Sequence, residues 1–324
     1  MNNLVIKLKE ANLTGRGGAG FPVALKWESV INALGEKKYV ICNASEGEPN
    51  VFKDGFILEN YPEEVINGIV LAMETINASE AYLYLNPNYY NRFEENLKKI
   101  IKEKPIKLFK KPHYYIAGEE TVICNLIEGK KMEPRQRPPF ISTVGLFGCP
   151  TLMNNVETFY YVSKINKGEY KQTRFYSLNG QVKNPGVYEL PENLSILEIL
   201  KQTDNFPDFE FFVQVGGGAV GEILLSEELD GQAKGAGSIT VYEKDKIDPY
   251  QIMENWADFF LEGNCDKCTP CREGIYRLKQ MIKEKNIDLL EMEPIFENLE
   301  KASFCALGRG AAAPFRGLIK KILK

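Results

Sequence analysis

Apolar residues along the first half of the chain follow two alternating rhythms. Lys38–Cys42 (KYVIC) and Ala81–Leu85 (AYLYL) are short runs rich in Val, Ile, Tyr and Leu, the texture of buried strands. Between them, Pro62–Ile76 carries Val65, Ile66, Ile69, Val70 and Met73 at helical spacing. Tyr89–Ile101 is a second amphipathic stretch, lysine-rich at its end, and Leu4–Leu13 is ambiguous between helix and strand. Tyr114–Ile116 reads as a third strand and Glu119–Glu128 as the helix after it. This alternation predicts an α/β fold with a largely parallel sheet. Pro134–Pro150 is too rich in Pro and Gly to be regular and reads as a long ordered loop, followed by a helix over Asn155–Ile165. From about Arg174 to Lys244 the texture changes. Strand candidates Phe175–Leu178, Val187–Glu189, Phe211–Val215 and Ser238–Tyr242 surround one helical segment, Ser195–Lys201, which predicts a small α+β domain. Beyond Pro249 the pattern is helical to the end, and no internal repeat breaks it.

Composition narrows the function classes. The 324 residues suffice for about two domains of ordinary size. Lys+Arg 40 against Asp+Glu 44 leaves a net charge of −4, which argues against nucleic acid or an anionic membrane as the main partner. The longest apolar runs, such as Val65–Met73, fall well short of the roughly 20 residues a membrane span needs. The first residues lack the pattern of a secretory signal. Seven cysteines, an odd number, suit a reducing cytoplasm better than a disulfide framework.

Four of those cysteines form an array. Cys265, Cys268 and Cys271 follow one another at a spacing of three, and Cys305 stands apart. Zinc sites usually draw ligands as two close pairs; here the split is three plus one, and the only histidine is distant His113. A [4Fe–4S] cube needs one thiolate at each of four corners, and a C-x₂-C-x₂-C loop with a remote fourth cysteine provides them. The cluster is the favoured reading, with zinc the alternative. Ile275 stands where a bacterial ferredoxin run would place its next cysteine, so a free-standing ferredoxin fold is not expected. Cys42, Cys124 and Cys149 sit singly among apolar neighbours and read as small buried side chains.

Gly15-Arg16-Gly17-Gly18-Ala19-Gly20 formally matches G-x-G-x-x-G. Phe21-Pro22 interrupts its exit, and no acidic residue stands at the expected distance, so an ordinary dinucleotide fingerprint is disfavoured. What survives is a loop whose backbone N–H groups can approach a phosphate or a ring, with Arg16 and Lys26 adding positive charge. A tight surface turn is the bland alternative.

Seven ordered stretches carry a specific resemblance. They are GRGGAGFP (15–22) with Lys26-Trp27, NASEGEP (43–49) with Phe52-Lys53-Asp54, GEET (118–121), RPPF (137–140), PTLMNNVET (150–158), CDKCTPCREG (265–274) and CALGRGAAAP (305–314). Together they resemble the NADH-binding flavoprotein subunit of respiratory complex I and its relatives in NAD-linked and electron-bifurcating hydrogenases and formate dehydrogenases. The resemblance implies a Rossmann-like flavin and NADH domain (1–170), a ubiquitin-like β-grasp domain (171–247) and a C-terminal helical bundle with the iron–sulfur cluster (248–324). It implies flavin mononucleotide (FMN), NAD(H) and one [4Fe–4S] cluster as cofactors.

Carried over by position, Gly15, Gly17, Gly18, Lys26, Asn43, Glu46, Gly118, Asn154 and Asn155 are expected to hold FMN. Glu48, Glu119 and Glu120 are the expected catalytic-site carboxylates, positioning the nicotinamide and the nucleotide ribose. Phe21 and Phe140 are expected to stack on the adenine, with Arg137 beside it; the alternative is that both rings belong to the core. Cys265, Cys268, Cys271 and Cys305 are the expected metal ligands. Departures from the family pattern are Ser45 in place of an aspartate, Ser29 in place of a bulky apolar residue near the adenine, and Ala117 in place of a cysteine. If a stacking contact is worth about 1–3 kcal/mol, the loss at Ser29 weakens NADH binding. The implied activity is hydride transfer between NADH and FMN, then single-electron transfer to the cluster. The implied partners are a thioredoxin-like [2Fe–2S] subunit and a larger iron–sulfur or catalytic subunit, with a cytoplasmic location and membrane association only through partners. No cysteine follows Cys305, so the extra clusters of bifurcating relatives are not expected. The competing functions are an NAD-reducing or electron-bifurcating module and a non-catalytic scaffold with a degenerate flavin site.

Overall fold

A computed structural model of the chain describes residues 3–323 and divides into two compact units. Among the described residues, the first unit comprises 3–47, 52–113 and 117–175; the second comprises 48–51, 114–116 and 176–323.

The first unit runs α1 (Asn3–Glu10), α2 (Val23–Asn32), β1 (Tyr39–Ala44), α3 (Lys53–Asn60), α4 (Pro62–Ile76), β2 (Glu80–Leu85), α5 (Pro87–Ile101), β3 (Ile106–Lys110), α6 (Glu120–Ile127), β4 (Thr151–Asn155) and α7 (Val156–Lys167). Its four strands lie in the order β3-β2-β1-β4, every pair parallel. The chain therefore builds outward from β1 through β2 to β3, then returns to place β4 on the other side of β1. That reversal creates a switch point between β1 and β4, and in such sheets ligands bind at the carboxyl ends of the strands beside it.

Local chemistry explains the elements. Pro62 opens α4 at its first turn, where a missing N–H costs nothing. Val65, Ile66, Ile69, Ala72, Met73 and Ile76 form its buried stripe, and left-handed Asn77 (φ 56°) ends it. On one face of the sheet, Tyr39, Ile41, Tyr82, Tyr84 and Met153 pack with Ile123, Cys124, Ile141 and Leu146. Cys42 and Cys124 are buried as expected, whereas Cys149 is only half-buried. Leu4–Leu13 resolves as a helix over most of its length. The third strand is not Tyr114–Ile116, which lies partly in a 3₁₀ turn at Tyr115–Gly118, but Ile106–Lys110.

The second unit carries β5 (Thr173–Gly180, entering from the first), β6 (Gly186–Pro191), α8 (Ile196–Gln202), β7 (Phe211–Val215), β8 (Glu222–Leu225) and β9 (Ser238–Glu243). The strands form a mixed sheet ordered β6-β5-β9-β7-β8, with β5 parallel to β9 and β7 antiparallel to both its neighbours. One helix, α8, covers it. Ser195 and Glu198 close a reciprocal capping box at its start, and Ile196, Ile199 and Leu200 join Tyr176, Leu178, Val213 and Ile239 in the core. A mixed sheet with α8 packed on it suits the β-grasp domain that the resemblance implied. Helices α9 (Pro249–Gly263), α10 (Thr269–Lys283), α11 (Leu289–Ala302), α12 (Ala306–Gly310) and α13 (Ala312–Lys321) complete the unit. Lys321 Nζ donates to Ile223 O at 2.9 Å, tying α13 to β8. No helix among the described residues is long and apolar enough to cross a membrane.

Candidate functional site

In the first unit, the residues expected at the flavin gather where the switch point predicts them. Asn43, next to last in β1, pairs with Asn155 of β4, and Cys42 pairs with Asn154. Asn43 Nδ2 donates to Gly118 O at 3.1 Å, while its Oδ1 accepts from Ser45 N at 3.0 Å and from the Ser45 hydroxyl. Ser45, where the resemblance implies an aspartate, thus fixes the Asn43 amide. Asn154 is buried; with its amide oriented to satisfy both ends, it accepts from Trp27 Nε1 at 2.9 Å and donates to Met153 O at 3.0 Å. Asn155 caps α7 by accepting from Glu157 N at 2.9 Å and donates Nδ2 to Asp54 Oδ2 at 2.6 Å.

The glycine loop is closed at its base. Gly15 N donates to Phe21 O at 2.8 Å and Val23 N to Leu13 O at 2.9 Å, so residues 15–21 form a hoop that opens directly into α2. A helix, not a strand, precedes it, which confirms that this is no ordinary dinucleotide fingerprint. Gly18 (φ +114°) and Gly20 (φ +64°) take backbone conformations that L side chains resist, with open space where side chains would stand. A Cβ on Gly17 would lie 3.2 Å from Asn155 Cβ, so the hoop rests against the end of β4. Lys26, in the first turn of α2, donates to Met153 O at 3.1 Å; burial lowers its pKa, and the nearby Glu120 partly restores it. Arg16 departs from expectation. Its side chain is buried, donates to Tyr170 Oη at 3.1 Å and lies over the Tyr161 ring, so the cationic contribution to the loop comes from Lys26.

Beneath the strand ends lies a charged group whose burial no sequence pattern announces. Lys53 Nζ sits 2.6 Å from Asp54 Oδ1 and 3.0 Å from Glu157 Oε2, all three side chains being almost wholly buried. Glu46 adjoins them, accepting from Asp54 N at 3.1 Å, Gly55 N at 3.4 Å and the Tyr89 hydroxyl. Burial first, and the Asp54 charge second, push Glu46 up to about 8, while Lys53 and the Tyr89 hydrogen bond oppose the rise.

The GEET segment starts α6. Glu119 caps it, Oε2 accepting from Thr121 N at 2.9 Å and Val122 N at 3.0 Å. Arg137 pairs with Glu119 Oε1 and reaches Glu120 Oε1 at 2.9 Å. Ser29, near the expected adenine position, hydrogen-bonds Ser142 Oγ at 3.0 Å. Phe21 is 49% exposed and Phe140 56% exposed. Neither belongs to the core, and no ring contact among the described residues engages either one. Polar amides, one ammonium and a glycine hoop at parallel strand ends fit a phosphorylated aromatic cofactor.

The second unit holds Glu48 and the cysteines. Glu48 Oε1 accepts from the Tyr115 hydroxyl at 2.8 Å, and Oε2 accepts from Ala219 N at 3.4 Å. Burial raises its pKa, and these hydrogen bonds oppose the rise. The sequence marks Tyr115 only as part of a strand candidate; a phenol three residues before GEET is a weak signal, visible as a partner of Glu48 only after folding.

Cys265, Cys268, Cys271 and Cys305 all line one pocket, together with Ile116, Asn264, Phe304 and Leu307. Cys268 and Cys271 lie at the start of α10, and Cys305 immediately precedes α12. Burial, and then the neighbouring thiols, push Cys271 up to about 12. Four cysteines around one pocket, which Asp266 and Lys267 also line, can supply one thiolate to each corner of an iron–sulfur cube.

Comparison with known proteins gives concordant results. Residues 8–164 match the Nuo51 FMN-binding domain family, and residues 251–322 match the NADH-ubiquinone oxidoreductase-F iron-sulfur binding region. The chain is similar to the second NADH-quinone oxidoreductase-F protein of Rhizobium meliloti, at 31% identity over 98% of this chain and 86% of that protein. It is similar to the NADH-quinone oxidoreductase-F protein of Streptomyces coelicolor, at 32% identity over 98% of this chain and 81% of that protein. Among solved structures, an NAD⁺-reducing [NiFe]-hydrogenase in the H₂-reduced state superimposes with a TM-score of 0.90 at 30% identity. That match covers 98% of this chain, which spans 61% of the hydrogenase chain.

Proposed function

We propose, from the premise that the chain belongs to the NADH-quinone oxidoreductase-F family, that the residues gathered at the β1 and β4 ends hold FMN and that the cysteine pocket holds a [4Fe–4S] cluster. The chain is an NADH-binding flavoprotein electron-transfer subunit of a multi-subunit oxidoreductase. When bound, the flavin and the cluster supply the conversion between two-electron hydride chemistry and single-electron transfer.

The chain's own residues bind and orient. Gly17 and Gly18 offer backbone N–H groups, Gly15 closes the base of the hoop that presents them, and Lys26 offers the nearby positive charge. Asn43, already fixed by Gly118 and Ser45, presents a preset amide to the ring, with Asn154, Asn155 and Glu46 around it. Phe21 and Phe140 offer exposed faces to the adenine, and Arg137 stands beside the acidic pair. Glu48, held by Tyr115, positions the nicotinamide. Glu120, with Glu119 beside it at the start of α6, presents negative charge to the ribose, which disfavours a 2′-phosphate and so selects NADH over NADPH. No side chain serves as a general acid in this scheme; alignment does the work. Cys265, Cys268, Cys271 and Cys305 supply one thiolate to each iron.

One observation carries this reading: cysteines at 265, 268, 271 and 305 meet around one pocket, in a chain whose amide-lined strand ends lie at a switch point. A visible spectrum of the anaerobically purified protein, before and after NADH, tests it. Flavin bands over broad iron–sulfur absorption, bleached by NADH, are expected. Zinc in place of iron, or no bound flavin, overturns the assignment. Equal kcat/KM for NADH and NADPH overturns the selectivity.

Three functional modules (1–170, 171–247 and 248–324), a thioredoxin-like [2Fe–2S] partner, a larger iron–sulfur or catalytic subunit and a cytoplasmic location complete the proposal. The likeness to the NAD⁺-reducing hydrogenase supports a second reading, in which the same site works toward NAD⁺ reduction. The identity of the co-purifying subunits decides the direction.

A further inference from the structure

Ser303 is 2% exposed, and its hydroxyl has no hydrogen-bond partner. A buried hydroxyl left unpaired is costly, so such an atom asks what it is paired with in the working protein. Its surroundings are specific. Ser303 stands at the C-cap of α11, two residues before Cys305. Its backbone is fully engaged, N donating to Leu299 O at 3.3 Å and O accepting from Arg309 Nε at 2.9 Å. Only the hydroxyl remains uncommitted.

Gly308, three residues after Cys305, shows where that hydroxyl lies. A Cβ built on Gly308 would stand 2.4 Å from Ser303 Oγ and 3.2 Å from Cys271 Cβ. The hydroxyl and the ligand cysteine therefore share the small space above the Gly308 backbone, a space that any side chain there would fill. An unpaired donor is thus held beside one wall of the pocket that Cys265, Cys268, Cys271 and Cys305 line.

We propose that Ser303 is a positioning residue for the cluster's electron affinity: its hydroxyl donates a hydrogen bond to a sulfur of the bound cluster, either the Cys271 thiolate or an inorganic sulfide next to it. The inference rests on the assignment of those cysteines to a [4Fe–4S] cluster. A hydrogen bond to cluster sulfur withdraws negative charge, and the reduced cluster carries one charge more than the oxidised one. The donor therefore favours the reduced state and raises the reduction potential. Nothing is transferred in this role; the proton stays on Ser303.

The test is a redox titration of the cluster in the full chain within its native assembly, read by electron paramagnetic resonance. Iron and sulfide content are measured on the same samples. Absence of a cluster from the unaltered protein refutes the cysteine assignment itself, whereas a loaded cluster isolates the claim about Ser303. With Ser303→Ala, the ratio of reduced to oxidised cluster at fixed potential is expected to fall about tenfold, a downward shift of about 59 mV for a one-electron couple. Ser303→Thr, which keeps the hydroxyl, is expected to return the potential toward the native value, and Ser303→Val, its match in shape, to leave it low. Equal potentials in the native and Ala proteins overturn the proposal. So does a Val variant that titrates like the Thr variant. Loss of the cluster in Ala and Val but not in Thr makes Ser303 an assembly residue, and likewise overturns it.

Discussion

Two charged regions of the first unit use the same residue types to opposite ends. Around Lys53, one ammonium lies among Asp54, Glu157 and the neighbouring Glu46, with Lys53, Asp54 and Glu157 almost wholly buried. Around Arg137, one guanidinium meets Glu119 and Glu120 with its side chain 36% exposed. In the first region, water cannot screen the charges, so removing any member leaves another uncompensated. In the second, solvent takes up the difference, and the charges remain available to a ligand. Charge near a binding site therefore says little by itself. Burial decides whether it supports the frame or meets the substrate.

The largest test of this contrast removes the buried ammonium. Lys53→Met keeps length and apolar bulk but strands the carboxylates, and a loss of about 3–5 kcal/mol in unfolding free energy is expected. Chemical denaturation followed by circular dichroism measures it. A loss below about 1 kcal/mol would place Lys53 with the exposed group and end the comparison.

A second test reads the same region through pH. Glu46 ordinarily titrates at 4.5 but is raised to about 8 in the folded chain. Between those values the folded state holds a proton that the unfolded chain has released. The stability Glu46 contributes is therefore complete below about pH 4.5 and is lost as pH rises through about 8. Burial also raises Asp54, which tilts stability in the same direction. Unfolding free energy should decline from about pH 5 to about pH 8 in the native protein, and more shallowly in Glu46→Gln, which imitates the protonated acid. Superimposable slopes in the two proteins would remove Glu46 from the account.

Much of the first unit is legible in the sequence because its helices declare themselves by spacing: Pro62–Ile76 matches α4 to the residue. The strands that escape share a cause. Ile106–Lys110 is an edge strand that buries fully only one of its five residues, so it lacks the apolar density that marks Tyr39–Ala44. Thr151–Asn155 is buried but ends in two asparagines, a residue type depleted in strands and placed here by the site. The cysteine pocket is legible from spacing alone. The Lys53 group is not, since a Lys-Asp pair opening a helix looks like ordinary solvated charge until Glu157 arrives from α7, about a hundred residues later. Tyr115 and Ser303 are hidden for a like reason: what distinguishes each is a partner, or the lack of one, that only folding reveals.

The finest test separates two adjacent carboxylates. Glu119 gives one oxygen to the N–H groups that start α6 and the other to Arg137, so it is committed to structure. Glu120 pairs with Arg137 through one oxygen and stays partly exposed, which leaves it the better acceptor for a ribose hydroxyl. Glu119→Ala should therefore cost about 1 kcal/mol of stability, the usual worth of a helix cap. Glu120→Gln should change stability by less than about 0.5 kcal/mol yet lower kcat/KM for NADH about tenfold, the worth of one hydrogen bond to a charged group. Thermal unfolding and steady-state kinetics on both variants give four numbers, and the prediction is their crossing: the structural loss at 119 and the kinetic loss at 120. Equal kinetic losses with no difference in stability would mean that the cap is incidental and that both carboxylates serve the nucleotide alike.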